Sequence, residues 1–131
     1  MSHNNPSREI GTAWETLAVT YGQSQGFPLD RRALAGRRDL GDLMGMPGWV
    51  IGCKSEKTIR LSTYMDEIAE QKANHAFRSA GAVRLTGADM PDLIGVELVK
   101  RRGYGPGRAY AVMEFDDLLT VWRGLTEAAA A

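Results

Sequence analysis

Two hydrophobic periods alternate along this chain, and the switches between them mark its elements. In "SREIGTAWETLAVTYGQSQG", residues 7–26, the apolar side chains of Ile10, Trp14, Leu17, Ala18 and Tyr21 recur at the spacing that lines one face of a helix. Ser7 is its expected N-cap and Gly22 or Gly26 its stop. "FPLDRRALAG" then reads as a short strand running into a basic turn. In "DLGDLMGMPGWVIGCKSEK", residues 39–57, two apolar runs flank Met46, Pro47 and Gly48, and Pro followed by Gly between such runs predicts a hairpin. The helical period returns in "STYMDEIAEQKANHAFRSAG", with Met65, Ile68, Ala69, Ala73, Ala76 and Ala80 on one side, Ser62 or Thr63 as cap and Gly81 as terminator. Residues 82–93 give no readable period. Beyond them "LIGVELVKRR" and "AYAVMEF" are strand-like runs joined by "GYGPG", and "DDLLTVWRGL" is a short closing helix whose N-terminus Asp116 favours, followed by an alanine tail expected to fray. Helix, strands, helix, strands, helix is the order of an α/β fold, a mixed central β-sheet flanked by helices.

Composition narrows this picture without redirecting it. A chain of 131 residues fits one domain, and 44% hydrophobic with 24% charged residues is close to the globular average, which argues against disorder. Its apolar runs fall short of the roughly 20 residues that span a bilayer, and the polar start "MSHNNPSRE" has no signal-peptide core, so a cytoplasmic protein is expected. The single cysteine, Cys53, excludes an internal disulfide and a Cys-rich zinc site, and its strand position suggests a buried thiol.

Net charge is zero, but its distribution is uneven. Between residues 31 and 60 seven basic residues, among them Arg31, Arg32, Arg37 and Arg38, face only three acids. Lys100, Arg101, Arg102 and Arg108 form a second patch with no acidic neighbour. Two such patches suit a polyanion, while solvated loop charge is the plainer alternative.

Strand alternation divides the second arm of the hairpin into two faces, Trp49, Ile51 and Cys53 on one and Val50, Gly52 and Lys54 on the other. Asp42, on the partner arm, can approach Lys54 across the pair, either as a simple ion pair or as chemistry. Other signals are weaker. "GYGPG" is followed by a strand, which disfavours a dinucleotide loop; His3 and His75 lack metal-ligand spacing; Trp14 and Trp122 occupy apolar helix positions and read as core.

Glu15 in the first helix, "GD" at 41 and 42, and "VIGCK" at 50–54 resemble the PD-(D/E)XK nuclease superfamily, whose pattern is acid, spacer, acid, any residue, lysine. More narrowly, "GTAWE", "RRALAGRRDLGD", "VIGCK", "YMDEIAEQKAN" and "VKRRG" resemble, in the same order, Holliday junction resolvase-like proteins of actinobacterial phages, over residues 11 to about 122. The resemblance implies a restriction-endonuclease-like fold. It implies Asp42 and Glu15 as ligands of Mg²⁺ or Mn²⁺, Lys54 as the lysine at the attacked phosphate, and Gln71 as an auxiliary residue of the following helix. Phosphodiester hydrolysis explains these types, because a hard cation takes oxygen ligands and a lysine adds fixed positive charge where negative charge develops. Arg31, Arg32, Arg37, Arg38, Lys100, Arg101 and Arg102 would contact the DNA backbone, which positions DNA without reading sequence. A four-way junction has near two-fold symmetry, so a homodimer acting on branched DNA is expected.

Position 52 departs from the resembled pattern: it should hold Glu or Asp and holds Gly. Glycine packs poorly inside a strand, so local structure offers no reason for it. Three explanations are open: a knockout that spares binding, a natural loss of activity, or transfer of the ligand role to another acid. Glu56 is the first substitute, because continued alternation would place it on the face of Gly52 and Lys54, followed by Glu67 and Glu70 on the helix. Two functions of different class therefore stand: a structure-specific endodeoxyribonuclease, and a non-catalytic DNA-binding module on the same fold. An interaction protein whose basic patches meet an acidic partner is a third.

Overall fold

The computed structural model describes residues 6–33, 39–80 and 92–130, with nine elements among them. Helix α1 spans Pro6–Ser24, β1 Asp30–Arg31, β2 Leu43–Met44, β3 Trp49–Lys54 and α2 Leu61–Ala80. After them come β4 (Ile94–Val99), a 3-10 turn at Pro106–Arg108, β5 (Tyr110–Val112) and α3 (Phe115–Ala130). Arg37, Arg38, His3 and the unreadable stretch up to residue 91 lie outside the described residues.

The five strands form one mixed sheet in the order β1-β2-β3-β4-β5. Neighbours pair antiparallel except β3 and β4, which run parallel. An antiparallel pair needs only a short turn, whereas a parallel pair needs a crossover, and α2 lies on that crossover. The hairpin forms around Met46–Gly48 as its turn chemistry predicts.

Alternation along β3 and β4 makes the two faces of the sheet different. On one face Ile51 and Val96 join Leu43 and the α1 residues Trp14, Ala18 and Val19 in a buried cluster, with Trp49, Cys53 and Leu98 packed against it. Burial of each such large aliphatic side chain contributes about 2 kcal/mol. The Trp14 indole Nε1 donates to the Leu98 carbonyl at 3.0 Å, which ties α1 to β4 and satisfies the one polar atom of that ring. On the other face Tyr64 and Ile68 of α2 are buried over the sheet, and Val50, Glu97 and Val99 are fully buried as well.

Several helix details differ from the sequence reading. Pro6 is the first residue of α1, a position where its missing N–H costs nothing, so Ser7 lies inside the helix and not at its cap. The buried stripe of α1 is Trp14, Ala18 and Val19, while Ile10, Leu17 and Tyr21 stay exposed. Helix α2 begins at Leu61, so Ser62 and Thr63 lie in its first turn, and it buries Tyr64, Ile68 and Gln71. Met65 is only half-buried, and Ala69 and Ala73 are exposed, because α2 turns its larger side chains to the sheet. Helix α3 runs through the alanine tail to Ala130, and Trp122 on it is 51% exposed, edge-on to Phe115, not core.

Candidate active site

Gly41 has φ of +100°, and a Cβ there would lie 3.0 Å from the Ile51 carbonyl, so the chain can turn into Asp42 this close to β3 only with glycine. The Asp42 amide then donates to the Ile51 carbonyl at 2.8 Å, and its carboxylate Oδ2 accepts the Cys53 N–H at 2.7 Å. Burial raises the Asp42 pKa despite that hydrogen bond, and the nearby charges of Glu15 and Asp39 raise it further.

Asp42 and Lys54 come together as neighbours but not as an ion pair. Lys54 Nζ binds Glu67 at 2.7 Å and lies 5.5 Å from the centre of the Tyr64 ring. Burial works against its charge, but the hydrogen bond and charge of Glu67 outweigh it, and the Lys54 pKa is raised. The ammonium is therefore held protonated at the C-terminal end of the central strand.

Of the other residues named from sequence, Glu15 reaches the same neighbourhood, where its carboxylate pairs with Arg31 at 3.1 Å. Gln71 is buried, and its Nε2 donates to Asp39 Oδ2 at 2.8 Å. Asn74 donates to the Asp39 carbonyl, and His75 Nε2 meets the Leu40 carbonyl at 2.8 Å. Three side chains of α2 thus hold the segment that leads into Gly41 and Asp42. Neither Glu56 nor Glu70 fills the gap at position 52. Strand β3 ends at Lys54, so alternation does not carry on to Glu56, which pairs with Arg60 at 2.8 Å. Glu70 is exposed on α2, and Glu67 is engaged by Lys54.

The sequence reading missed Glu97. It lies directly across from Gly52 in the parallel β3–β4 register. A Cβ on residue 52 would meet the Glu97 carboxyl oxygens at 2.6 and 2.7 Å, so the Glu97 carboxyl occupies the space that a side chain at 52 would need. Glu97 is 1% exposed, and neither of its oxygens has a hydrogen-bond partner. Burial pushes its pKa up to about 8; Lys54 works against that shift, and Asp42 adds to it. One signal could have found it: Glu97 is the acid inside an otherwise apolar run, "LIGVELV", as Lys54 is the lysine at the end of "WVIGCK".

One residue of each basic run is bonded through its backbone to this cluster. Arg32 on the β1 side donates its backbone N–H to the Asp42 carbonyl at 2.9 Å, and the Lys100 N–H binds the Lys54 carbonyl at 2.9 Å. Arg101 stacks on Tyr104, its guanidinium 3.6 Å from the ring centre, and Arg108 approaches the same ring. Arg102 is exposed next to them. The Cys53 thiol is no candidate nucleophile, since burial and the nearby acids push its pKa well up. Among the described residues no three His, Cys, Asp or Glu side chains converge closely enough to enclose a metal ion unaided, and no helix is long and apolar enough to cross a membrane.

Comparison of the chain with known protein families, with curated proteins and with solved structures returns no match.

Proposed function

We propose that this chain is a metal-dependent endodeoxyribonuclease with a restriction-endonuclease-like fold, acting on branched DNA in the manner of the Holliday junction resolvase-like proteins it resembles. The observation that carries the reading is the placement of a basic residue against each of Asp42 and Lys54: the Arg32 N–H bonds the Asp42 carbonyl, and the Lys100 N–H bonds the Lys54 carbonyl. Phosphate-binding cations next to hard oxygen ligands suit a phosphodiester better than either feature does separately. The strand order, with α1 on one face and the hairpin leading by a helix into a parallel strand, is compatible with such a nuclease core.

Each residue has a task in this reading. Asp42, fixed by the Cys53 amide, offers a carboxylate oxygen to Mg²⁺ or Mn²⁺, and Glu15 stands behind it with its charge balanced by Arg31. Carboxylate oxygens suit a hard divalent cation, which when bound would neutralise phosphate oxygens and make a bound water more acidic. Lys54, kept protonated by Glu67, places a fixed positive charge where the phosphate gains negative charge. Gln71 holds the approach to Asp42 through Asp39. Two copies arranged about a dyad would cut opposing strands of a four-way junction.

The test is incubation of the chain with labelled four-way junction and linear duplex in Mg²⁺ and in Mn²⁺. Paired, symmetric nicks in the junction are expected, with Asp42→Asn and Lys54→Ala each lowering the rate by at least about a hundredfold, the scale of one transition-state contact. Tight junction binding with no nicking in either metal would replace this reading by the second one, a DNA-binding module without hydrolysis. Gly52 is the observation that favours that alternative, since the expected acid is absent from β3.

A further inference from the structure

We propose that Glu97 is the second protein ligand of a divalent-cation site with Asp42, so that the carboxylate expected on β3 stands in this chain on β4, and Gly52 is the vacancy that admits it. The inference rests on the nuclease reading for its location but not for its evidence, which is geometric. Parallel pairing sets residues 52 and 97 side by side, and both belong to the face that carries Lys54. A carboxyl reaching from 97 and one reaching from 52 would claim the same space, as the 2.6 and 2.7 Å approaches to a Cβ at 52 demonstrate. One strand must give way, and here it is β3.

A purely structural role does not account for Glu97. Its side chain is 1% exposed with both oxygens unpartnered, and a buried carboxyl without hydrogen bonds costs on the order of a few kcal/mol relative to an apolar residue of similar size. Gln71 Oε1 on α2 is also buried and unpartnered. Both Glu97 oxygens thus have no hydrogen-bond donor on them, and a cation bound beside Asp42 would satisfy them. The Asp42 amide and carboxylate bond to Ile51 and Cys53, the two chain neighbours of Gly52, and Glu97 pairs with Gly52 from the other side. Two carboxylates suffice for Mg²⁺, which commonly takes one or two protein carboxylates and completes its octahedron with water and substrate phosphate oxygens.

The experiment is a titration of the DNA-free full chain with Mn²⁺ to millimolar concentration, read by the electron paramagnetic resonance signal of free Mn²⁺. Thermal unfolding of each metal-free variant serves as the folding control. One bound Mn²⁺ is expected, weakened at least about tenfold by Asp42→Asn and by Glu97→Gln, the scale on which losing a coordinating or orienting group weakens metal sites. Gly52→Ala should weaken it as well, because its methyl displaces the Glu97 carboxyl. The reciprocal double variant Gly52→Glu/Glu97→Gly should bind again within a few-fold of the original. Glu97→Gln binding Mn²⁺ as the original chain does, or an original chain that binds none, overturns the inference. The nuclease reading is judged apart from it. Metal bound through Asp42 and Glu97 with no DNA cut leaves the inference standing and removes hydrolysis. DNA cut equally well by Glu97→Gln does the reverse.

Discussion

At the scale of single residues, Glu97 and Gly52 form one unit. The Glu97 carboxyl has its pKa raised from 4.5 to about 8, chiefly by burial, and Asp42 is raised in the same direction. An acid whose pKa is higher in the folded than in the unfolded chain keeps its proton longer when folded. Its contribution to stability therefore falls as pH rises from the unfolded value towards the folded one and is level above it. For the metal-free chain in chelator, stability relative to Glu97→Gln should fall between about pH 4.5 and about pH 8 by up to about 1.4 kcal/mol per pH unit. Urea unfolding across that window measures it, and a difference that does not change with pH would mean Glu97 is not held protonated. Asp42 and Lys54 were legible in the sequence, because an acid and a lysine on the arms of an apolar hairpin stand out, whereas Glu15 and Gln71, both on helices, were named only through the resemblance. The replacement acid was sought among neighbours in sequence, Glu56, Glu67 and Glu70, whereas it came from a strand that no local rule connects to Gly52.

At the scale of elements, α2 joins the site to the rest of the fold. Gln71, Asn74 and His75 hold the segment before Asp42, and Lys72, next to Gln71 on the same helix, reaches α3, binding both oxygens of Asp117 at 2.9 and 3.0 Å. Asp117 Oδ2 also accepts the Gly95 N–H of β4 at 2.8 Å, so one buried carboxylate couples two helices to the strand that carries Glu97. Asp117→Ala leaves Lys72 half-buried without its partner and the Gly95 amide without an acceptor. It should destabilise the chain by about 3 kcal/mol, measured as a lower urea midpoint, with Asp116→Ala, an exposed neighbour, near neutral. A loss as small as that of Asp116→Ala would show that the helices are held by apolar packing alone. The helices, the hairpin and the order of strands were readable because period and turn chemistry are local. The helix faces were less so: apolar counting chose Ile68 rightly but Met65, Ala69 and Ala73 with it, while the sheet took Tyr64 and Gln71 beside Ile68. Large side chains fill the space over a sheet better than alanine does, and which stripe faces inward depends on what lies opposite.

At the scale of the whole molecule, the chain is neutral overall, and a residue of each basic run is bonded to the Asp42 and Lys54 backbone. Arg31 and Arg32 flank Asp42, and Lys100, Arg101 and Arg102 follow β4 next to Lys54. If these groups neutralise phosphates, the logarithm of the affinity for a four-way junction falls linearly with the logarithm of salt concentration. Replacing Lys100 and Arg101 by alanine should then reduce that slope by about 2. A slope unchanged by the double substitution, measured in Ca²⁺ to prevent turnover, would remove this patch from the DNA contact. Sequence by itself determined the class of fold, the alternation that sets Gly52 and Lys54 on one face, and the two basic runs, because each depends on neighbours within a few positions. Only the tertiary structure decided that Arg32 and Lys100 bond to Asp42 and Lys54 and that Glu97 fills the place beside Gly52. The parallel register of β3 and β4 is set across the intervening α2 crossover by packing on both faces of the sheet, and no short-range pattern encodes it.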